Sequence, residues 1–324
     1  MKKLAITILL TSALFLLLSV RPVMAQQTTL SISPPILEVF IKPGKSILVA
    51  YTLQNISDPV IVKAKILPFE PAGNLGNISI KDEFEGPIRF NLDNSDVKLE
   101  QSFFLKTLGL QQLLLRIRVP EGTPNGDYYY TLLAETEPPP GIGGNVSSRT
   151  KITIGSNILI TVTDTGSIDL RGKIAMFDVI PRFNLNIVGR SIKFFDSNDK
   201  IPVVLFMENK GVNFVKPEGE ITLRGNFGET SNYEIIPQNV LSQSQRLLSA
   251  SPSAEFRKST SLVISGFFLG KYNLNATVNL GESGTTLFAT TSFIALPFRF
   301  MILLLIVAAI VFLIIKKTSH NEVE

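Results

Sequence analysis

Most of the chain between residues 26 and 296 alternates apolar and polar positions over short runs. In the run 46–54 the apolar residues share one face, and the runs 60–66 and 113–119 repeat the pattern. A period of two is typical of half-buried antiparallel strands, and turn-forming residues separate the runs. The regular spacing of such short strands predicts an all-β fold built from β-sandwiches.

Two long apolar stretches at the ends of the chain break this alternation. In the first, residues 1–25, Lys2 and Lys3 precede an apolar segment that ends at the small residue Ala25. This order predicts a secretory signal peptide that is cleaved after Ala25. An uncleaved signal-anchor helix is the alternative.

The second apolar stretch, residues 297–315, predicts a single transmembrane α-helix. Its 18 positions from Phe298 to Ile315 cover about 27 Å at about 1.5 Å per residue, close to the thickness of the hydrocarbon layer. Arg299 is expected at the outer edge, and Lys316 and Lys317 in the cytosol with a short tail, 316–324. The sequence thus predicts single-pass localisation in the cell membrane with the domains outside, and a buried core helix is the alternative.

The excess of positive charge belongs to these two ends. Six of the 31 basic residues and two of the 27 acidic residues lie there, which leaves 25 of each in 26–296. A neutral exported region gives no reason to expect nucleic acid as a partner. The absence of cysteine in a chain of this size favours a bacterial surface protein held by its cores alone.

A weak internal repeat divides the exported region. A strand that ends at Asn55 precedes a Gly-x-Tyr strand start at Gly126, and Asn209 precedes the same start at Gly270. Such aromatic residues can plug the end of a sandwich, and we therefore predict two tandem immunoglobulin-like sandwiches, 26–165 and 166–296. Chance recurrence of common turn residues is the alternative.

Catalytic and metal chemistry lack their usual residues in the exported region. It contains no Cys, and the single His, His320, lies in the tail, so neither a zinc site nor a nucleophilic triad can form. The oxygen-rich runs 93–96 and 196–199 fit plain turns better than calcium loops. The acidic cluster 82–85 fits a solvated loop better than a glycosidase pair. We expect a protein that is not an enzyme and that takes no cofactor, metal or small-molecule substrate.

A proline-rich loop and one tyrosine are the candidate binding surface. The loop lies between two predicted strands and would project from one end of a sandwich, where binding surfaces are common. Tyr129 faces away from its neighbours and is a contact for sugar or protein if its face is open; otherwise it is packing. The candidate residues are Tyr129, Pro138, Pro139, Pro140 and Ile142.

The chain resembles the WxL-interacting proteins of Gram-positive bacteria. The resemblance rests on a Lys-Pro-Gly strand entry, an Asn-x-Ser-Asp strand end, a Pro-Ala loop and a Val-Pro strand entry, found at 41–46, 53–58, 71–76 and 119–120. The second domain is similar only in outline. Membership would imply a first domain that binds peptidoglycan and a second that contacts another surface protein.

Three hypotheses about function fit these features. The first is a membrane-anchored surface protein that binds the cell wall or another surface protein without chemistry. The alternative is a tethered extracytoplasmic chaperone or scaffold whose first domain offers a strand edge to exported proteins. A carboxylate hydrolase is the weakest hypothesis. An exposed, unpaired hydrophobic edge strand in the first domain would favour the chaperone.

Overall fold

The structure is a computed structural model that describes residues 30–137, 151–181, 183–187, 190–251, 259–281 and 284–321. Strands dominate these residues, and the only helix among them lies at the C-terminal end. The prediction of a mostly β-sheet fold is confirmed. The predicted signal peptide, 1–25, lies outside the described residues.

The first domain consists of ten strands in two packed sheets. The smaller sheet has the order β1-β3-β8-β6, and the larger has the order β2-β10-β9-β4-β5, with β7 pairing the start of β4. The strands are β1 (Leu30–Ser33), β2 (Ile36–Ile41), β3 (Ser46–Asn55), β4 (Val60–Ala72), β5 (Asn77–Ile80), β6 (Arg89–Leu92), β7 (Ser102–Leu105), β8 (Leu110–Arg118), β9 (Gly126–Glu137) and β10 (Thr153–Val162).

Alternation along the strands builds the core between these two sheets. Tyr51 on β3 and Leu115 on β8 come from the smaller sheet, and they meet Tyr130 on β9 and Ile160 on β10 from the larger one. The inward positions are those that the period of two predicts in 46–54. Burial of such side chains contributes about 1.5–3 kcal/mol each and fixes which face of each strand points inward.

The second domain repeats the two-sheet arrangement with ten more strands. One sheet has the order β11-β14-β17, with β18 also pairing β14, and the other has the order β12-β13-β20-β19-β15-β16. The strands are β11 (Gly172–Val179), β12 (Phe183–Ile187), β13 (Arg190–Asp196), β14 (Ile201–Asn209), β15 (Glu218–Gly225), β16 (Thr230–Ile235), β17 (Gln245–Leu247), β18 (Leu262–Ile264), β19 (Gly270–Asn279) and β20 (Thr286–Leu296).

An aromatic cluster fills one end of the second core. Tyr272 stacks on Phe293 with ring centroids 5.2 Å apart, and Phe195 and Phe268 meet these rings edge-on. Edge-to-face and offset-stacked pairs of this kind add about 0.5–1.5 kcal/mol each beyond the burial of their area. Tyr272 belongs to the Gly-x-Tyr start of β19, so this aromatic residue does plug the end of its sandwich.

The predicted membrane anchor is wrong. Among the residues that the structure describes, no helix is long and apolar enough to cross a membrane. The apolar segment forms α1 (Phe298–Asn321). The predicted single-pass localisation in the cell membrane is corrected with it.

Arg299, which was expected at the outer edge of the span, contacts the second domain. The backbone N–H of Arg299 donates to the Asp196 carboxylate at 3.0 Å, and its guanidinium pairs with Asp199 at 3.3 Å. Arg299 therefore ties the start of α1 to the loop after β13. The side chains of Lys316 and Lys317 lie outside the described set.

Leu115 and Leu110 give a matched test of the first core, because both lie on β8 and differ in burial. Leu115 is fully buried, whereas Leu110 is 66% exposed. We expect Leu115→Ala to lower the free energy of unfolding by about 2–5 kcal/mol, because it leaves a cavity between the sheets. We expect Leu110→Ala to change it by less than about 0.5 kcal/mol. Urea unfolding followed by circular dichroism measures both, and equal effects would contradict this core.

Candidate functional site

The two domains meet on the outer face of the larger sheet of the first domain. Phe69 on β4 and Leu159 on β10 lie there, and Leu241 from the loop before β17 packs against them. The ring of Tyr129 on β9 stacks on Phe69 at 5.7 Å. Both sandwiches thus share a small apolar cluster, and this cluster forms the floor of a groove between them.

The carboxylate of Asp127, at the start of β9, gathers donors from both domains. It accepts hydrogen bonds from the Thr161 hydroxyl at 2.8 Å and the Tyr129 hydroxyl at 2.9 Å. From the second domain, the Asn213 side-chain amide donates at 2.9 Å and the Phe214 backbone N–H also donates. Hydrogen bonds to a charged acceptor are the strong ones, so Asp127 holds the two domains in one orientation.

Tyr129 lies between the domains and not on an open surface. Its hydroxyl accepts a hydrogen bond from the Ser242 backbone N–H at 2.9 Å, in addition to donating to Asp127. Burial, together with the nearby Asp127 charge, raises the pKa of Tyr129 well above its ordinary value, so the hydroxyl stays protonated. Of the other candidate residues, Pro138, Pro139, Pro140 and Ile142 lie outside the described residues.

Three more polar contacts cross the groove. Glu38 on β2 pairs with Lys216 at 3.1 Å and accepts from the Asn239 side-chain amide at 2.6 Å. The backbone N–H of Leu247 donates to the carbonyl of Asn74 at 2.7 Å. With Asp127 and the apolar cluster, these contacts fix the width of the groove.

Strand β2 lines this groove and is an edge strand. Among the described residues it pairs only with β10, in parallel register. The backbone N–H of Asn157 donates to the carbonyl of Pro35, which determines which peptide groups of β2 point toward β10. Because successive peptide groups point to opposite sides of a strand, the N–H and C=O groups of Ile36, Glu38 and Phe40 point away from β10.

The side chains of β2 alternate between the core and the groove. Leu37, Val39 and Ile41 pack into the first core. Ile36 and Phe40 face the other way and remain 42% and 57% exposed. Proteins protect edge strands with charges, prolines or covering segments, but Glu38, the one charged side chain on β2, is already paired. Within the described part of the chain the edge is therefore an open, apolar template for another strand.

A cavity lies at each end of β2. Ile36 lines the first, of about 80 Å³, together with Phe69, Leu159, Leu241 and Arg246. Phe40 lines the second, of about 280 Å³, with Leu170, Phe214 and Leu280. Both cavities are bounded by residues of the two domains, so each exists only because the domains are held together.

Arg246 on β17 lines the first cavity, and no acidic side chain among the described residues pairs with it. One terminal nitrogen donates to the Asn239 carbonyl at 2.6 Å, while the buried Nε–H has no partner among the described residues. The guanidinium lies flat against Gly76, where a Cβ would sit 2.5 Å from its Cζ. Burial lowers the pKa of Arg246.

The oxygen-rich turns use their oxygens within the protein. Asp93 pairs with Arg116, and the Asn94 side chain bonds to the backbone of Leu114 and Gln112. Within the described ranges, no group of three or more His, Cys, Asp or Glu side chains could hold a metal ion.

Known proteins similar to this chain were found only among solved structures. No family model matches the chain, and no curated protein matches it. The class 5 fimbriae chaperone CfaA is 11% identical with a TM-score of 0.38, covering 82% of this chain and 99% of its own. The YadV chaperone is 10% identical at 0.36, covering 82% and 99%. The Pseudomonas aeruginosa CupB2 chaperone is 11% identical at 0.34, covering 79% and 97%.

Similarity at these TM-scores is too low to support an inference about function. The fold and the site are therefore defined by the strands, registers and contacts of this chain alone. All three of these proteins are chaperones. Nothing in these comparisons tests the resemblance to WxL-interacting proteins, which stays a prediction.

Asp127→Asn tests the contact between the domains. The amide brings two N–H donors to a position that four donors already face, so we expect the free energy of unfolding to fall by about 2–3 kcal/mol. Scanning calorimetry should then resolve the domains as separate transitions. Asp82→Asn, in an exposed loop, is the control. An unchanged thermogram for Asp127→Asn would show that this carboxylate does not couple the domains.

Amide hydrogen exchange tests the open edge. We expect the amides of Ile36, Glu38 and Phe40 to exchange at least about tenfold faster than those of Leu37, Val39 and Ile41, because only the latter donate to β10. Residue-resolved exchange measured by NMR reports this alternation. Uniform protection along β2 would mean that another segment covers the edge.

Proposed function

We propose that this protein binds an extended segment of another exported protein by strand addition to β2, and so acts as an extracytoplasmic chaperone or assembly scaffold. The observation that carries the proposal is the open, apolar edge of β2 beside a groove of fixed width. Export itself rests on the sequence prediction of a signal peptide. The proposed action is binding without catalysis, and residues 26–296 contain no Cys or His that could serve as a nucleophile or base.

The backbone of β2 offers a defined number of hydrogen-bonding groups to an added strand. Ile36, Glu38 and Phe40 present three N–H donors and three carbonyl acceptors to an added strand. At about 0.5–1.5 kcal/mol net for each hydrogen bond, these six groups supply on the order of 3–9 kcal/mol. Ordering the added segment costs roughly 1–2 kcal/mol per residue, so the backbone alone does not hold it.

Side chains of the segment must supply the rest, and the groove has places for them. The cavities at Ile36 and Phe40 lie at the two ends of the edge, about as far apart as the two ends of a six-residue strand. In strand addition the backbone gives affinity, and pockets for alternate side chains give specificity. The proposed ligand is therefore a segment with apolar side chains directed toward the second domain.

Peptide display on the purified full-length chain tests this function. Twelve-residue random peptides are selected against the natural chain and then measured against Phe40→Pro and Phe40→Ala. Proline removes the outward N–H while the ladder to β10 stays intact, as edge strands tolerate. We expect Phe40→Pro to weaken binding by about tenfold or more, because it also blocks close approach of the added strand.

Phe40→Ala separates the backbone from the side chain, because it keeps the N–H and removes only the ring. We expect a smaller loss for Phe40→Ala than for Phe40→Pro, and protection of the Ile36, Glu38 and Phe40 amides from exchange when peptide is bound. Thermal unfolding checks that both variants are folded. A selection without binders, or binders indifferent to Phe40→Pro, would refute strand addition at β2.

A further inference from the structure

Strand β12 in the second domain is an edge strand without the usual protection. It ends its sheet, and among the described residues it pairs only with β13. Its sequence, Phe-Asn-Leu-Asn-Ile, contains no charged residue and no proline, which are the residues that discourage pairing at an edge. Phe183 and Leu185 lie on one face of the strand and are 62% and 53% exposed.

The opposite edge of the same sheet is covered by another part of the chain. There the backbone N–H of Ser251 donates to the carbonyl of Glu234 on β16 at 2.8 Å. Just beyond this strand, the N–H of Ile236 donates to the carbonyl of Ser249, also at 2.8 Å. The sheet therefore has one edge that the chain itself covers and, within the described ranges, one edge on which no further strand lies.

The register of β12 with β13 determines which peptide groups face the open side. Ile187 lies opposite Arg190 with two residues between them, and the pair that closes such a hairpin exchanges its backbone hydrogen bonds directly. Because peptide groups alternate along a strand, those of Leu185 also point to β13. The peptide groups of Asn184 and Asn186 point to the open side.

We propose that β12 pairs with β12 of a second copy of this chain, in antiparallel register centred on Leu185. The order of apolar and amide residues in this strand is the same in both directions. A two-fold axis at Leu185 therefore places this residue opposite its own copy, and Asn184 opposite Asn186 of the second copy. Each asparagine then exchanges two backbone hydrogen bonds with the asparagine opposite it, and the two sheets become continuous.

The side chains and the absence of charge favour a second copy as the occupant. Phe183 and Leu185 lie opposite Phe194 and Ile192 of β13, so the apolar row already begins within each copy. Across the two-fold axis this row continues with apolar residues, and no like charges face each other. An overlap of five residues is at the low end of interface sizes, so we expect a weak dimer with a Kd on the order of micromolar. This surface belongs to a different domain from β2, and the inference goes beyond the proposed function.

Engineered cysteines test the register, because the natural chain contains no cysteine. In a central pair of this kind the two Cα atoms lie about 4.5 Å apart, a distance that a disulfide can span. We expect Leu185→Cys in the full-length chain to form a covalent dimer under mild oxidation at least about tenfold faster than Phe183→Cys, which lies off the axis. Ser231→Cys, at an exposed position on β16, is the second control. Equal rates for the three variants would overturn the proposal.

Sedimentation equilibrium of the full-length chain tests the association itself. We expect Leu185→Lys to raise the dimer Kd by at least about tenfold, because it brings two like charges together at the axis. Ser231→Lys adds the same charge at the other edge of the sheet and should leave the Kd unchanged. Circular dichroism checks that both variants are folded. A natural chain that stays monomeric at high micromolar concentration, or a dimer that Leu185→Lys leaves unchanged, would refute pairing at β12.

The variants of β2 separate this inference from the proposed function. Phe40→Pro should weaken peptide binding and leave dimerisation unchanged, whereas Leu185→Lys should do the reverse. If Phe40→Pro abolishes the dimer, β2 and not β12 is the strand that joins the copies, and the inference is refuted. If the dimer responds to Leu185→Lys while no peptide responds to Phe40→Pro, only strand addition at β2 is refuted.

Discussion

The carboxylate of Asp127 is the contact on which the arrangement of this molecule depends. It lies at the start of β9, and its donors come from β9 itself, from the neighbouring strand β10 and from the loop after β14 in the other domain. Two independent sandwiches joined by a short linker would otherwise be free to rotate. Because one acceptor serves donors on both sides, rotation would leave several polar groups unpaired at once. The groove between the domains and its two cavities follow from this constraint.

Strand β2 is paired along only one of its two edges in the described part of the chain. Its inward side chains fix it in the first core, while its outward peptide groups have no partner in the described part of the chain. Neighbouring contacts add to this: Lys216 takes up the charge of Glu38, which would otherwise discourage a hydrophobic strand from pairing. The second domain therefore forms one wall of the groove and also sets the chemical character of the edge.

Alternation predicted the strands of the first core well, because residues such as Tyr51 and Leu115 obey a simple rule of period two. The same rule could not single out β2, whose sequence Ile-Leu-Glu-Val-Phe-Ile is apolar on both faces. A strand buried on both sides and a strand with one open edge give the same pattern. Pairing of β2 with β10 joins residues more than 115 positions apart, and no local signal encodes it.

The site was harder still to predict from sequence. The alternating pattern places Tyr129 on an outward face as an aromatic residue. It does not identify Phe69 and Ser242 as its partners, because both are distant in the chain. Nothing in the sequence around Arg246 indicates that it lines a cavity between the domains, since an arginine in a polar stretch normally faces water. The apolar C-terminal segment does form a helix, yet helix formation by itself did not establish a membrane span. In each case the missing information was tertiary contact.

The apolar floor of the groove has a consequence for how the chain can be divided. Phe69, Tyr129 and Leu159 lie on the outside of the first sandwich, and they are covered only because Leu241 and its loop rest on them. A fragment cut in the linker would expose this surface to water and would be prone to aggregate, even with its own core intact. Each sandwich thus has its own strands and core, but the two must stay together for the protein to remain soluble.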